Sequence, residues 1–297
     1  MQHPPDHPHL FRVHKFLWRL RTVSLLRLLE RLKHRVFNPL WIASVLLSSV
    51  GCQPLATVPP SSTPLPTPTY EGWETITQGI ERRVYRPRGS FLLSITAYRI
   101  DPQQFEFIAH YRPNAPLLLT DWHTNYPEAV LIFNTNFFDT ANNITGLLVA
   151  DGIPYGNTYR QRGGSFVVRE GQPAMFSHLV TDYTDQGYEQ VIQAFPMLIT
   201  NGARSYFDTR PDRPTRRTVI GMDSAGNVLV LVTTFGGITL LDLAVWLAES
   251  DLALVNALNL DGGGSTLLGQ YVETPPTALL SFDPVPAVMG VYRKDVP

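Results

Sequence analysis

The sequence of 297 residues contains one cysteine, Cys52. A single cysteine supplies neither an internal disulfide framework nor a cysteine-based zinc site within a monomer. Charged residues make up only 16% of the chain, against roughly 25% in an average globular protein, so Thr, Asn, Gln and Ser must carry much of the surface. The formal charge of −1 sums a strongly basic leader and a more acidic remainder. Beyond the leader no long Lys/Arg stripe is left, which argues against nucleic acid as a partner, because duplex binding rests on clustered phosphate neutralisation. Histidine is scarce in the same region: only His110, His123 and His178 follow the leader, without metal-ligand spacing, and no metal ligand is assigned. The Gly-Lys-Ser/Thr element of a nucleotide P-loop and the Gly-x-Gly-x-x-Gly spacing are both missing. No long hydrophobic run is present either. The apolar stretch from Leu40 to Val50 is too short to cross about 30 Å of hydrocarbon comfortably as a helix.

What is present begins with that stretch. Arg12, Lys15, Arg19, Arg21, Arg27, Arg31, Lys33 and Arg35 precede it, and Gly51 and Cys52 end it. A basic section followed by a short apolar run has the form of an export signal. A small residue directly before a lone cysteine further resembles a bacterial lipoprotein signal, in which the cysteine is lipidated and becomes the mature N-terminus. Residues 1–52 are therefore expected to be an export signal with Cys52 as the lipidation site; an uncleaved anchor or a plain signal peptide is the alternative. Residues 53–72 follow as a Pro/Ser/Thr-rich linker, a composition that cannot bury enough apolar area to fold. The expected location is the cell envelope, with the membrane contacted through an N-terminal lipid or signal anchor.

Residues 73–297 are expected to form one α+β domain, mainly antiparallel β-sheet with one or two packed helices. Short β-type runs separated by Gly, Pro, Asn and Asp predict strands at Phe91 to Tyr98, Phe105 to His110, Ala129 to Asn134, Gly164 to Arg169, Val191 to Ile199, Thr218 to Met222 and Val228 to Thr233. Helical spacing marks Thr239 to Ser250, with Leu240, Leu243, Ala244 and Leu247 on one face and Thr239 as cap; a second helix begins within Pro116 to Tyr126. Leu254 to Leu260 is an apolar run leading straight into Asp261-Gly-Gly-Gly-Ser265, as a buried strand ending at a site loop would. Asp151-Gly152 and Asn201-Gly202 carry the strongest short hairpin signal.

Four clusters could carry chemistry. In Asn134-Thr-Asn-Phe-Phe-Asp139 the two amides, Asn134 and Asn136, either tie down a turn or present hydrogen bonds to sugar hydroxyls. Phe195-Pro-Met-Leu-Ile-Thr-Asn-Gly202 places Asn201 after an apolar run. Arg213-Pro-Thr-Arg-Arg-Thr-Val-Ile-Gly221 sets three arginines before a strand; an arginine fork matches two phosphate oxygens and stays charged, with a solvated charged loop as the competing reading. Arg217 adjoins the strand and is chosen over Arg216 on the grounds of rigidity. The fourth cluster, Asn259-Leu-Asp-Gly-Gly-Gly-Ser-Thr266, is the most specific. Three glycines in a row cost folding entropy, so they mark positive φ or a close approach. The N–H groups of Gly262, Gly263 and Gly264, with the hydroxyl of Ser265, would form an anion-binding concavity headed by Asp261.

Taken in chain order these clusters resemble the phosphodiester glycosidase domain, the family of the lysosomal uncovering enzyme that removes N-acetylglucosamine from a phosphodiester-linked mannose. The resemblance rests on Asn134-x-Asn-Phe-Phe, Gly146-Leu with Asp151-Gly152, Pro196-x-Leu-x-x-Asn-Gly202, Arg217-Thr-x-x-Gly221, Phe235-Gly-Gly-Ile-Thr-Leu240 and Asn259-Leu-Asp-Gly-Gly-Gly-Ser265. It implies a hydrolase cleaving a sugar from a sugar 1-phosphodiester, with a glycan or glycoconjugate as substrate. The expected catalytic group is Asp261, Arg217 and Asp139: Arg217 holds the departing phosphate, Asp261 stabilises the oxocarbenium-like carbon or activates water, and Asp139 is the second carboxylate. Asn134, Asn136, Asn201, Thr218, Gly262, Gly263, Gly264 and Ser265 are the expected substrate contacts. No cofactor is required, and a structural calcium ion stays open. A non-catalytic carbohydrate-binding or envelope-scaffolding lipoprotein is the alternative from another class, and a metal-dependent phosphodiesterase the third reading.

Overall fold

The computed structural model describes residues 72–87, 92–234 and 236–294, all within one compact unit, residues 65–297. The leader and Cys52 lie outside the described residues. So does almost all of the linker, apart from Gly72.

Three antiparallel sheets enclose the main core. The largest has eight strands in the order Glu74–Thr77, Ile80–Tyr85, Ile95–Ile100, Val228–Thr233, Thr218–Asp223, Leu254–Asn259, Met197–Thr200 and Ala203–Arg204. A second, of five, runs Gln172–Ser177, Gly164–Arg169, Gln190–Ala194, Leu147–Ala150, Ile153–Gly156. The third, also of five, runs Thr277–Leu279, Leu268–Gln270, Leu131–Asn134, Ala287–Arg293, Phe105–Tyr111. Side chains alternate across each strand, and the alternation decides the layers. Ile220, Val230 and Leu258 of the large sheet face Phe166 and Ile192 of the second and Phe107, Phe133 and Met289 of the third. Val219, Leu229, Leu231 and Ala257 face the other way, onto helix α2 (Leu240–Glu249) through Leu243, Ala244 and Leu247. With both faces covered, the strand Val228–Thr233 is buried at every position and apolar almost throughout. Helix α1 (Leu119–Asn125) covers the outside of the third sheet, burying Leu119 and Trp122 against Ile132 and Val288.

The expected class, mainly antiparallel β with two short helices, is what forms. Thr239 caps α2, its hydroxyl accepting from the Asp242 N–H at 3.1 Å. Asp151-Gly152 and Asn201-Gly202 turn hairpins with both residues at positive φ. Two expectations need correction. The run Val191 to Ile199 is not one strand: it breaks at Phe195-Pro196 into Gln190–Ala194 and Met197–Thr200, which belong to different sheets, because proline has no N–H for a ladder. The strand drawn at Phe91 to Tyr98 starts later, at Ile95, and runs to Ile100.

Candidate active site

The strand Leu254–Asn259 delivers Asp261 at its C-terminal end, where the large sheet meets the third. Asn134, 1% exposed, fastens this junction. Its Nδ2 donates to the Asp261 carbonyl at 2.7 Å, while its Oδ1 accepts from Thr218 Oγ1 at 2.8 Å and from the Leu267 N–H at 3.1 Å. The Asp261 N–H in turn donates to Thr135 O at 3.0 Å. The Asn134 amide and the Thr218 hydroxyl are therefore spent on the frame, which corrects their assignment as sugar contacts. Asn136 is spent by half: Nδ2 donates to Leu147 O and Gln193 O at 3.1 and 3.0 Å, and Oδ1 has no partner.

The triglycine bend is a single 3-10 turn, Gly263–Ser265, and each glycine there answers to a close neighbour. A Cβ on Gly262 would lie 2.7 Å from Arg216 O, Gly263 has φ +63°, and a Cβ on Gly264 would lie 2.0 Å from Asp283 Oδ2. The expected anion nest is largely filled from within: the Gly262 N–H donates to Asp261 Oδ1 at 2.8 Å and the Gly263 N–H to Arg216 O at 2.8 Å. What the bend admits is a second carboxylate, that of Asp283, whose loop is tied to it by the Phe282 N–H donating to Gly264 O at 2.7 Å. Burial pushes the Asp261 carboxyl above the ordinary carboxylate range, hydrogen bonds from Ser265 and the Gly262 N–H oppose that, and the negative charge of Asp283 adds to it. Nothing in the local sequence around Ser281-Phe-Asp-Pro marks Asp283; the glycines signalled that something approaches, and only the fold names it.

Arg216 and Arg217 project to opposite faces of the sheet. Arg216 lies on the bend: Nε donates to Gly263 O at 3.1 Å, Nη1 to Leu280 O at 2.8 Å and Nη2 to Gly264 O at 3.3 Å, and its guanidinium sits 4.1 Å from the Phe282 ring centre. Arg217 is directed toward α2. Its Nη2 donates to Asp212 at 2.6 Å and its Nε to Ile238 O at 3.0 Å, and Asp212 also accepts from the Leu240 N–H at 2.8 Å. The expectation that Arg217 closes on the triglycine bend is thus replaced by Arg216 as the arginine there, because neighbours on an extended chain point to opposite sides.

Two further expectations move. Asp139 is exposed and closes its own turn, with Oδ1 accepting from the Ala141 and Asn143 N–H groups at 2.8 and 2.9 Å and Oδ2 from Asn143 Nδ2 at 3.0 Å. Those bonds, from Asn143 first, lower its pKa. Asp283, not Asp139, is the carboxylate coupled to Asp261. Asn201 turns the hairpin beside Val255 and Asn256, at the opposite end of the strand from Asp261, roughly 17 Å away for five extended residues. It belongs to the frame.

Buried polar atoms without partners gather at this end: Thr135 Oγ1, Asn136 Oδ1, Asn259 Oδ1, Thr266 Oγ1 and Ser281 Oγ. Orphans are uncommon in folded proteins and concentrate where function competes with stability. The rim is aromatic. Phe282 is 68% exposed, and on the other side Phe195 packs against Phe137 and Tyr159 with ring centres 4.8 and 5.4 Å apart. Among the described residues no three His, Cys, Asp or Glu are grouped to hold a metal ion.

The triglycine bend thus carries Asp261 at its head and Asp283 against Gly264, and comparisons with known proteins give the family. The phosphodiester glycosidase family model matches residues 127–292, which take in both carboxylates, the triglycine bend and Arg216. The chain belongs to this family. Its fold is similar to that of the zebrafish N-acetylglucosamine-1-phosphodiester alpha-N-acetylglucosaminidase catalytic domain auto-inhibited by pro-peptide, at TM-score 0.57 and 17% identity over 74% of this chain and 86% of that one. It is also similar to a hypothetical protein from Synechocystis, at TM-score 0.55 and 16% identity over 73% of this chain and 63% of that one. A sequence search of curated proteins gave no match.

Proposed function

We propose that this protein is an exported hydrolase that cleaves a sugar from a sugar 1-phosphodiester in an envelope glycan or glycoconjugate, held at the envelope through a lipid on Cys52 and the linker after it. The observation that carries the reaction is the meeting of Asp261 and Asp283 across the triglycine bend, within the region matched by the family. The basic leader, the apolar run and the lone cysteine carry the location.

In this reading the two carboxyls divide the work by environment. Asp261, half-buried and with its pKa raised by desolvation, gives its proton to the oxygen that leaves with the phosphate. Asp283, exposed to solvent, takes a proton from the water that attacks the anomeric carbon. The C1–O bond breaks with its electron pair going to the phosphoester oxygen, and the products are the free sugar and a phosphomonoester. A phosphomonoester is a far better leaving group than an alkoxide, so charge placement and positioning matter more here than strong acid catalysis. Arg216, with its three donors on carbonyls of the bend and the neighbouring loop, is a positioning residue that fixes Asp283 against Gly264. No cofactor takes part.

The test is to incubate the protein with synthetic sugar 1-phosphodiesters in oxygen-18 water and follow the products by phosphorus NMR and mass spectrometry. The label is expected in the sugar, with a phosphomonoester released. Label in the phosphate would assign P–O cleavage and end this reading, as would full turnover by the Asp261→Asn variant.

A further inference from the structure

If the site cleaves sugar phosphodiesters, something must hold the phosphate, and each of the two arginines nearest the carboxylates already turns three of its five N–H donors to the protein. The Arg216 donors are on Gly263 O, Leu280 O and Gly264 O, and those of Arg217 on Asp212, Ile238 O and Arg213 O. The bend's own N–H groups at Gly262 and Gly263 are also used. A different cation is poised on the same rim. The Arg162 guanidinium lies 3.7 Å from the ring centre of Phe195 and 4.9 Å from that of Tyr159. Among the described residues it makes no hydrogen bond or ion pair, so all its N–H donors are available. A ring contact of this kind consumes none of the fork's N–H donors, which stay open to an anion.

The position of Arg162 is built from beneath. Its carbonyl accepts from His178 Nδ1 at 3.1 Å, and His178 Nε2 is 2.8 Å from Ser165 Oγ. Burial lowers the His178 pKa, and a neutral ring that donates through Nδ1 must accept the Ser165 hydroxyl at Nε2. Ser165 and His178 are both buried, so this pair anchors a loop and is out of reach of a substrate. The platform is fixed to the catalytic end by two routes. Phe195 O accepts from Asn259 Nδ2 and Pro196 O from the Asn259 N–H, both at 3.0 Å, and Asp261 follows Asn259 by roughly 7 Å of extended chain. From the other side, Phe137 packs on Phe195 and follows by two residues Thr135, whose carbonyl accepts from the Asp261 N–H.

We propose that Arg162, held over Phe195 and beside Tyr159, is the specificity-determining residue that receives the substrate's phosphate while the sugar's anomeric carbon faces Asp261. The proposal rests on the sugar-phosphodiester reading of the site. Its ligand class is a sugar 1-phosphate or its ester, read by a charge-assisted fork.

The experiment is calorimetric titration of the purified full chain with N-acetylglucosamine 1-phosphate and with N-acetylglucosamine. Wild type is compared with Arg162→Ala, Arg162→Lys and Arg160→Ala, the last an exposed arginine of the same loop without a ring contact. Loss of one charged fork corresponds to roughly 10- to 100-fold weaker binding. That loss is expected for Arg162→Ala with the 1-phosphate, a smaller loss for Arg162→Lys, and less than 2-fold for Arg160→Ala or for the neutral sugar with any variant. Equal loss with both ligands would make Arg162 structural and overturn the proposal. Unchanged 1-phosphate binding in Arg162→Ala, or a wild type that binds the 1-phosphate no more tightly than the sugar, overturns it as well. Phosphate binding lost through Arg162 in a protein that cleaves no phosphodiester would leave this assignment standing and remove the hydrolase reading instead.

Discussion

Replacing Asn134 with Ala separates a frame residue from a substrate ligand. Three hydrogen bonds disappear, those to the Asp261 carbonyl, the Thr218 hydroxyl and the Leu267 N–H, in a place that water does not reach. The Thr218 hydroxyl can rotate, so the cost falls on the stranded Leu267 N–H and Asp261 carbonyl, each worth about 1–3 kcal/mol when buried and unpaired. A total of about 4 kcal/mol follows, and at about 3 °C per kcal/mol for a domain near 200 residues the melting temperature should drop by about 12 °C. Asn134→Asp sharpens the argument. It keeps both acceptor bonds but sets a buried carboxylate oxygen against the Asp261 carbonyl, so its penalty should be greatest at neutral pH and shrink on acidification, when the protonated carboxyl can donate again. Thermal unfolding followed by near-ultraviolet circular dichroism, with urea midpoints between pH 7 and pH 5, measures both. A fall of less than about 3 °C in Asn134→Ala, with a raised KM for a sugar phosphodiester, would refute the reasoning and return Asn134 to the substrate.

Asp261→Asn should abolish turnover yet raise the melting temperature at neutral pH. A carboxyl whose folded pKa lies above its unfolded value loses stability as pH rises through that interval, and the amide never pays this penalty; a destabilised variant would contradict it. Asp283→Asn removes the negative charge that helps raise the Asp261 pKa, so the alkaline limb of any residual pH–rate profile should move to lower pH, and a limb that stays in place would uncouple the pair. Arg217→Ala strands Asp212 and frees Ile238 O beside α2; a loss of about 2–4 kcal/mol is expected in urea titration, and an unchanged midpoint would deny Arg217 its place in the frame. Burial lowers the His110 pKa to about 4, so the folded state binds fewer protons than the unfolded one between pH 6.5 and 4. Stability should fall across that window by up to about 3 kcal/mol, and His110→Gln, which does not titrate there, should flatten the decline.

Much of this architecture was legible because it follows from periodicity and punctuation. Val228 to Thr233 could only be a strand buried on both faces, and Leu254 to Leu260 running into Asp261 announced a strand that ends at a site. The break within Val191 to Ile199 is legible too, since Pro196 in mid-run argues against one continuous central strand. Asp283 was not. Its place depends on a loop some twenty residues beyond the bend, and the glycines record only that a neighbour comes close.

Which side each arginine takes is readable in the sequence itself. Arg217 and Thr218 cannot share one pocket, because adjacent residues of an extended segment point to opposite faces. Thr218 reaches Asn134 beneath the bend, so its partner in parity is Arg216, while Arg217 shares its side with Val219, which packs toward α2. Rigidity does not separate the two arginines, because both are fixed: Arg216 by three backbone carbonyls, Arg217 by Asp212 and two carbonyls. What distinguishes a ligand-binding arginine from these is a full set of unspent donors on a fixed support. By that measure the cation to follow is Arg162, which no motif contains, and the carboxylate to follow is Asp261, whose burial makes the fold less stable where the proposed chemistry needs a proton kept.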